Sequence, residues 1–168
     1  MHHASHSRAP RPVEDPLASA GALRELSGLD AIRAVRDGLV PPPPIANLIG
    51  FTIVEADEGR VVFEGYPGEE HYNPIGVVHG GFALALFDSA MGCAIHTTLP
   101  SGVGYTTTDV QVRFIRAITK DTGPVRCEAT AVHVGRTTAI AEAKLRDRDG
   151  RVLGTGTTAC AVFRPASP

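Results

Sequence analysis

The stretch His79 to His96, HGGFALALFDSAMGCAIH, decides how the rest of the chain is read. From Gly80 to about His96 it is nearly unbroken apolar and small. A helix apolar on every side and too short to span a bilayer must be wrapped by protein. Asp88 is its lone carboxylate. Burying an ionised carboxylate without partners costs several kcal/mol or raises its pKa, so Asp88 is paired, at an interface, or functional. Its helical neighbours include Gly81, Ala85 and Gly92, which leave that face open to another chain or a ligand.

Downstream of Pro100 the period becomes two. Val110, Val112 and Phe114 alternate with Asp109, Gln111 and Arg113, and Ala139, Ala141, Ala143 and Leu145 alternate with Ile140, Glu142, Lys144 and Arg146. Residues 125 to 134 and 152 to 163 read as two more strands, with Asp149-Gly150 as a hairpin turn. Upstream, Leu48 to Glu55 and Arg60 to Tyr66 read as strands joined by Ala56-Asp57-Glu58-Gly59. Segregated strands around one buried helix predict an α+β layer arrangement.

Before these elements, Ser27 to Asp37 predicts a short helix capped by Ser27, which Leu23 and Leu26 would extend toward the N-terminus were it not for Gly28. Pro41 to Pro44 predicts an extended, stiff spacer. The expected organisation is an extension over 1–26 that is mobile at its start, the short helix and spacer over 27–47, the main domain over 48–164, and a tail over 165–168. His2, His3 and His6 read as a solvated tail.

At 168 residues one domain is the expectation. With 43% hydrophobic and 20% charged residues and a net charge of -2, the chain carries no electrostatic footprint for nucleic acid. No apolar run reaches the roughly 20 residues of a membrane span and no signal-peptide core opens the chain, so no membrane association and a cytoplasmic location are expected. Cys93, Cys127 and Cys160 read as reduced core thiols. No metal-ligand spacing links His71, Tyr72, His96 and His133, so no metal and no role for them is expected.

His79-Gly80-Gly81 stands at the start of the buried helix. Unpaired N–H groups and the positive dipole end lie there, and glycine removes the side chain that would block a substrate oxygen. Alone, two glycines simply permit a tight turn; together with Asp88 they read as an oxyanion site. The eight residues from Gly80 to Asp88 amount to roughly 12 Å of helix, whereas both groups must lie within about 3 to 5 Å of one carbonyl carbon. If they cooperate, the sequence asks for a twofold dimer that pairs Gly80 of one chain with Asp88 of the other.

The run Asn73-Pro74-Ile75-Gly76-Val77-Val78-His79-Gly80-Gly81, then Asp88, Thr107-Thr108-Asp109 and Arg113-Phe114-Ile115-Arg116, resembles the phenylacetate-degradation (PaaI) type of hotdog thioesterase over residues 29 to 163. That resemblance implies the hotdog fold, an antiparallel sheet curled around the long helix, in a homo-oligomer that is a dimer or a dimer of dimers. It implies hydrolysis of acyl-CoA thioesters, medium-chain or aryl, without a cofactor, CoA being part of the substrate. Asp88 would be general base or nucleophile and the Gly80 amide the oxyanion donor, with Asn73 and His79 orienting groups and Thr107 assisting. Gly81, Thr108, Arg113, Arg116 and Arg136 are candidates for contact with substrate or CoA phosphates. Ala117 departs from the proline that relatives often carry there. The competing expectations are an enoyl-CoA hydratase or dehydratase on the same fold, with His71 as its loop histidine, and a non-catalytic acyl-CoA-binding module.

Overall fold

A computed structural model describes residues 20–21 and 23–164; the expectations for the first 19 residues and for the 165–168 tail lie outside that range. The elements are α1 (Gly28–Arg36), α2 (Pro44–Ile49), β1 (Phe51–Asp57), β2 (Arg60–Gly65), α3 (Gly80–His96), β3 (Gly104–Phe114), β4 (Val125–Val134), β5 (Thr138–Arg146) and β6 (Val152–Phe163). The strands form one antiparallel sheet in the order β1-β2-β4-β5-β6-β3. This sheet packs around α3, which is the hotdog arrangement and the expected fold class.

The packing explains the pattern of small residues. Phe82, Leu86, Phe87, Met91 and Ile95 of α3 are each at most 3% exposed, and each contributes roughly 1.5–3 kcal/mol by leaving water. Phe87 fits because the strand facing it has glycines: a Cβ on Gly156 would stand 2.8 Å from the Phe87 ring, and one on Gly154 3.3 Å. From the sheet, Ala139, Ala141, Ala143 and Leu145 are all buried, as their alternation predicts.

Two local readings change. Leu48 to Glu55 is not one strand: the chain is helical through Ile49, and β1 begins at Phe51. Pro44 stands where a helix start needs no N–H, and Gly50 ends the helix in the left-handed conformation at φ 80°. The extended proline spacer therefore stops at Pro43. At α1 the Ser27 cap is present, its Oγ accepting from the Asp30 N–H at 3.2 Å. Leu23 and Leu26 do not extend α1, because Gly28 is pinned against the end of α3, its N–H donating to the Leu99 carbonyl at 2.9 Å.

β1 and β3 are the edges of the sheet. β3 has 11 residues and offers an unpaired backbone along its outer side. Its pairing with β6 shifts register between Thr107 and Asp109, a bulge at Thr108. Tyr105 and Thr107 before the bulge, and Val110 and Val112 after it, are the less exposed residues and face α3.

Candidate active site

The loop Asn73–His79 delivers the chain to α3 in a tight, self-bonded turn. Asn73 anchors it, its Oδ1 accepting from the N–H groups of Ile75 at 3.1 Å and Val77 at 3.4 Å. Gly76 takes φ 82°, which favours glycine. The His79 N–H donates to the His71 carbonyl at 2.7 Å. His79 is the N-cap of α3, and its Nδ1 accepts from the Gly81 N–H at 2.8 Å. That leaves the Gly80 N–H, which has no acceptor among the described residues. A side-chain cap consumes one of the free amides of the helix end and presents the next.

Asp88 lies two turns further along α3, half-buried. The Thr107 hydroxyl donates to Asp88 Oδ1 at 2.8 Å, while Oδ2 has no partner among the described residues. The bulge aims that hydroxyl, since Thr108 takes up the extra residue and bonds away, donating from Oγ1 to the Ala159 carbonyl at 3.0 Å. Thr107 thus fixes one carboxylate oxygen and leaves the other available to a water or an acyl carbon.

Around the acid the surroundings are buried and neutral. Burial, aided by the charge of Asp88, pushes the Cys93 thiol up to about 12, so it stays protonated and is no nucleophile at neutral pH. Burial raises Tyr105 well above the ordinary phenol value, and the neighbouring Cys93, Cys160 and Asp88 add to the shift. Burial likewise raises Cys160 and Cys127. All three cysteines are free, which agrees with their reading as reduced core thiols.

β3 runs antiparallel to α3, and its two ends mark two points on the helix. Thr107 stands on Asp88, and the Phe114 ring stands on Gly80, where an added Cβ would lie 3.0 Å from Phe114 Cζ. Within one chain the two halves of the predicted site are therefore apart. The arginines do not join Asp88 either. Arg113 points to the outer face of the sheet, where with Glu128, Glu142, Lys144 and Arg146 it lines a hollow of about 540 Å³. Arg116 donates to the Val152 carbonyl at 2.5 Å and lines a second hollow with Arg148 and Arg151. Arg136 lies exposed in the β4–β5 hairpin, its carbonyl accepting from Arg164 Nε at 3.3 Å.

Two arrangements could not be read from the sequence. His71 Nε2 is buried without a partner, while Nδ1 accepts from the Gly68 N–H at 2.9 Å and the ring packs on Phe82 at 4.7 Å. Tyr105 and Gly92 meet beside Asp88, a pairing that only the register of β3 on α3 makes visible. Among the described residues no group of three or more His, Cys, Asp or Glu is placed to hold a metal ion. None of their helices is long and apolar enough to cross a membrane.

The sequence profile of the thioesterase superfamily matches residues 75–153, from the loop that carries the Gly80 turn through the start of β6. Over that stretch the chain is similar to the thioesterase superfamily. Similar proteins include the 1,4-dihydroxy-2-naphthoyl-CoA hydrolase of Listeria monocytogenes, 25% identical over 65% of this chain and 87% of that protein. A phenylacetic acid degradation-related protein of Ralstonia eutropha has TM-score 0.70 and 25% identity over 77% of this chain and 98% of its own. The E. coli PaaI protein of the phenylacetic acid degradation operon has TM-score 0.70 at 18% identity, over 82% of this chain and 96% of its own, a likeness of fold. The comparisons support thioester hydrolysis in general.

Proposed function

We propose that the protein hydrolyses acyl-CoA thioesters with medium-chain or aryl acyl groups in two sites shared across a twofold dimer, alone or within a dimer of dimers. The observation that carries this reading is the hydroxyl-fixed carboxylate of Asp88 on an open helix face, combined with a free Gly80 amide at the start of the same helix. The roughly 12 Å between them forbids one chain from using both. A twofold axis through the middle of β3 removes the difficulty. It pairs two exposed edges antiparallel and exchanges the ends of the strand, bringing Gly80 of the partner subunit toward Asp88.

In that site the thioester oxygen accepts from the Gly80 amide of the partner subunit, which polarises the carbonyl. Asp88 Oδ2 takes a proton from water as the water oxygen bonds to the acyl carbon. Collapse of the tetrahedral intermediate breaks the C–S bond, and the CoA sulfur recovers the proton. Direct attack by Asp88 through an acyl-enzyme anhydride is the other route open to the same carboxylate. Asn73 and His79 act by holding the turn and freeing the Gly80 amide. No cofactor takes part, since CoA arrives as part of the substrate. Arg116 and Arg136, from the loops, and Arg113, Thr108 and Gly81 are the proposed contacts for CoA. The setting we propose is the cytoplasm, with no nucleic-acid partner.

Hydration of an enoyl-CoA would need a loop histidine beside the acid. His71 instead packs its ring on Phe82, with Nδ1 occupied by the Gly68 N–H and Nε2 buried, so neither nitrogen is presented to a substrate. The test is thiol release from a panel of acyl-CoA esters, run beside enoyl-CoA absorbance and sedimentation. We expect hydrolysis by a dimer or larger assembly, and a loss of at least about 1,000-fold in kcat/KM for a folded Asp88→Asn variant. Full activity in Asp88→Asn, enoyl hydration without thiol release, ester binding without turnover, or a monomer in solution would overturn the proposal.

A further inference from the structure

The stripe of α3 that carries Asp88 reads Gly81, Ala85, Asp88, Gly92, small residues at helical spacing on both sides of the acid. Gly92, one turn beyond Asp88, leaves a notch in the helix surface. Tyr105 fills it. A Cβ on Gly92 would stand 2.8 Å from the Tyr105 hydroxyl oxygen and 2.9 Å from its Cε2. The ring is held at its side by His96, centroid to centroid 5.4 Å. Tyr105 also shares the helix-facing side of β3 with Thr107, two residues on, so its ring stands next to the hydroxyl that fixes Asp88.

Resting on the reading of Asp88 as the catalytic acid, we propose that Tyr105 is the end wall of the acyl pocket and the residue that sets acyl length. The distance from Asp88 to the Gly92 notch is about 6 Å of helix rise, which limits an acyl group lying along this face to an aromatic ring or a chain of limited length. At its end stands a ring packed on Gly92 and against His96. The enzyme therefore favours compact acyl groups and turns over long-chain fatty acyl-CoA poorly.

Straight-chain acyl-CoA esters from four to sixteen carbons, with a phenylacyl ester, test this in the wild type and in Tyr105→Ala and Tyr105→Phe. The wild type is expected to favour the aryl ester and chains up to medium length over sixteen carbons. Tyr105→Ala is expected to raise the ratio of kcat/KM for long over short esters by at least about tenfold. Tyr105→Phe keeps the ring, removes only the hydroxyl, and is expected to keep the wild-type length profile. If Tyr105→Ala does not fold, Tyr105→Leu carries the comparison with a smaller shift in the same direction. A folded Tyr105→Ala or Tyr105→Leu with an unchanged length profile, or a wild type that prefers sixteen carbons, overturns the inference alone. No thiol release from any ester overturns instead the hydrolytic reading beneath it.

Discussion

At each end of α3 an aromatic side chain of β3 rests on a helix glycine, yet the two contacts differ in everything that follows from them. Phe114 covers Gly80 while remaining 57% exposed, at a helix end whose Gly80 amide is unpaired. Tyr105 covers Gly92 in a buried setting, its ring tilted against His96, and α1 closes over that end. One contact lies at the surface; the other is enclosed. The same local device thus stands in two settings, and the difference lies in what packs behind the ring.

The hardest test of the closed end is Gly28→Ala. A Cβ there would fall 1.7 Å from the His96 carbonyl oxygen, a backbone atom that cannot swing aside, so α1 must move as a unit. A loss of about 3 kcal/mol is expected in urea denaturation. A cost below about 1 kcal/mol would mean that α1 is only loosely laid over the end of α3.

Gly80→Ala asks the opposite question of the open end. The methyl would meet the tip of a half-exposed ring at 3.0 Å, and Phe114 can yield. Stability is expected to change by less than about 1 kcal/mol, helped by the better helix propensity of alanine. Turnover is expected to fall roughly 10- to 100-fold, because the methyl crowds an oxygen approaching the amide. Wild-type kcat in a stable Gly80→Ala protein would remove this amide from the chemistry.

What could be read in advance follows the same divide. The bounds of α3 and the anomaly of Asp88 were legible, because each is written in consecutive residues, whereas the cap by His79 was not. The outward direction of Arg113 was legible too, from the alternation that turns Val110 and Val112 inward. The helix at Pro44 was hidden, since Leu48 to Ile53 is apolar across both a helix end and a strand start and shows no period. The bulge at Thr108 leaves no local mark, although it is what turns Thr107 onto Asp88. The pairs Phe114–Gly80 and Tyr105–Gly92 depend on how β3 registers on α3 across an intervening loop, a long-range fact that no window of sequence contains.

The smallest expected effect concerns His96, the one imidazole in the closed end. Burial pushes its pKa below the ordinary value, so the folded protein binds fewer protons there than the unfolded chain. A lowered folded-state pKa contributes stability that is present above the unfolded value of about 6.5 and is lost as pH falls through the folded value. The loss has a ceiling of about 1.4 kcal/mol per pH unit for a single proton. Carboxylates such as Glu55, which the Arg60 hydrogen bond holds below the usual range, titrate at lower pH and leave this window to imidazoles. Unfolding midpoints measured between pH 8 and 5 should therefore decline below about 6.5 in the wild type and more shallowly in His96→Gln. Parallel slopes for the two proteins would show that His96 charges freely where it sits, and that the end of α3 beneath Tyr105 is wetter than its packing implies.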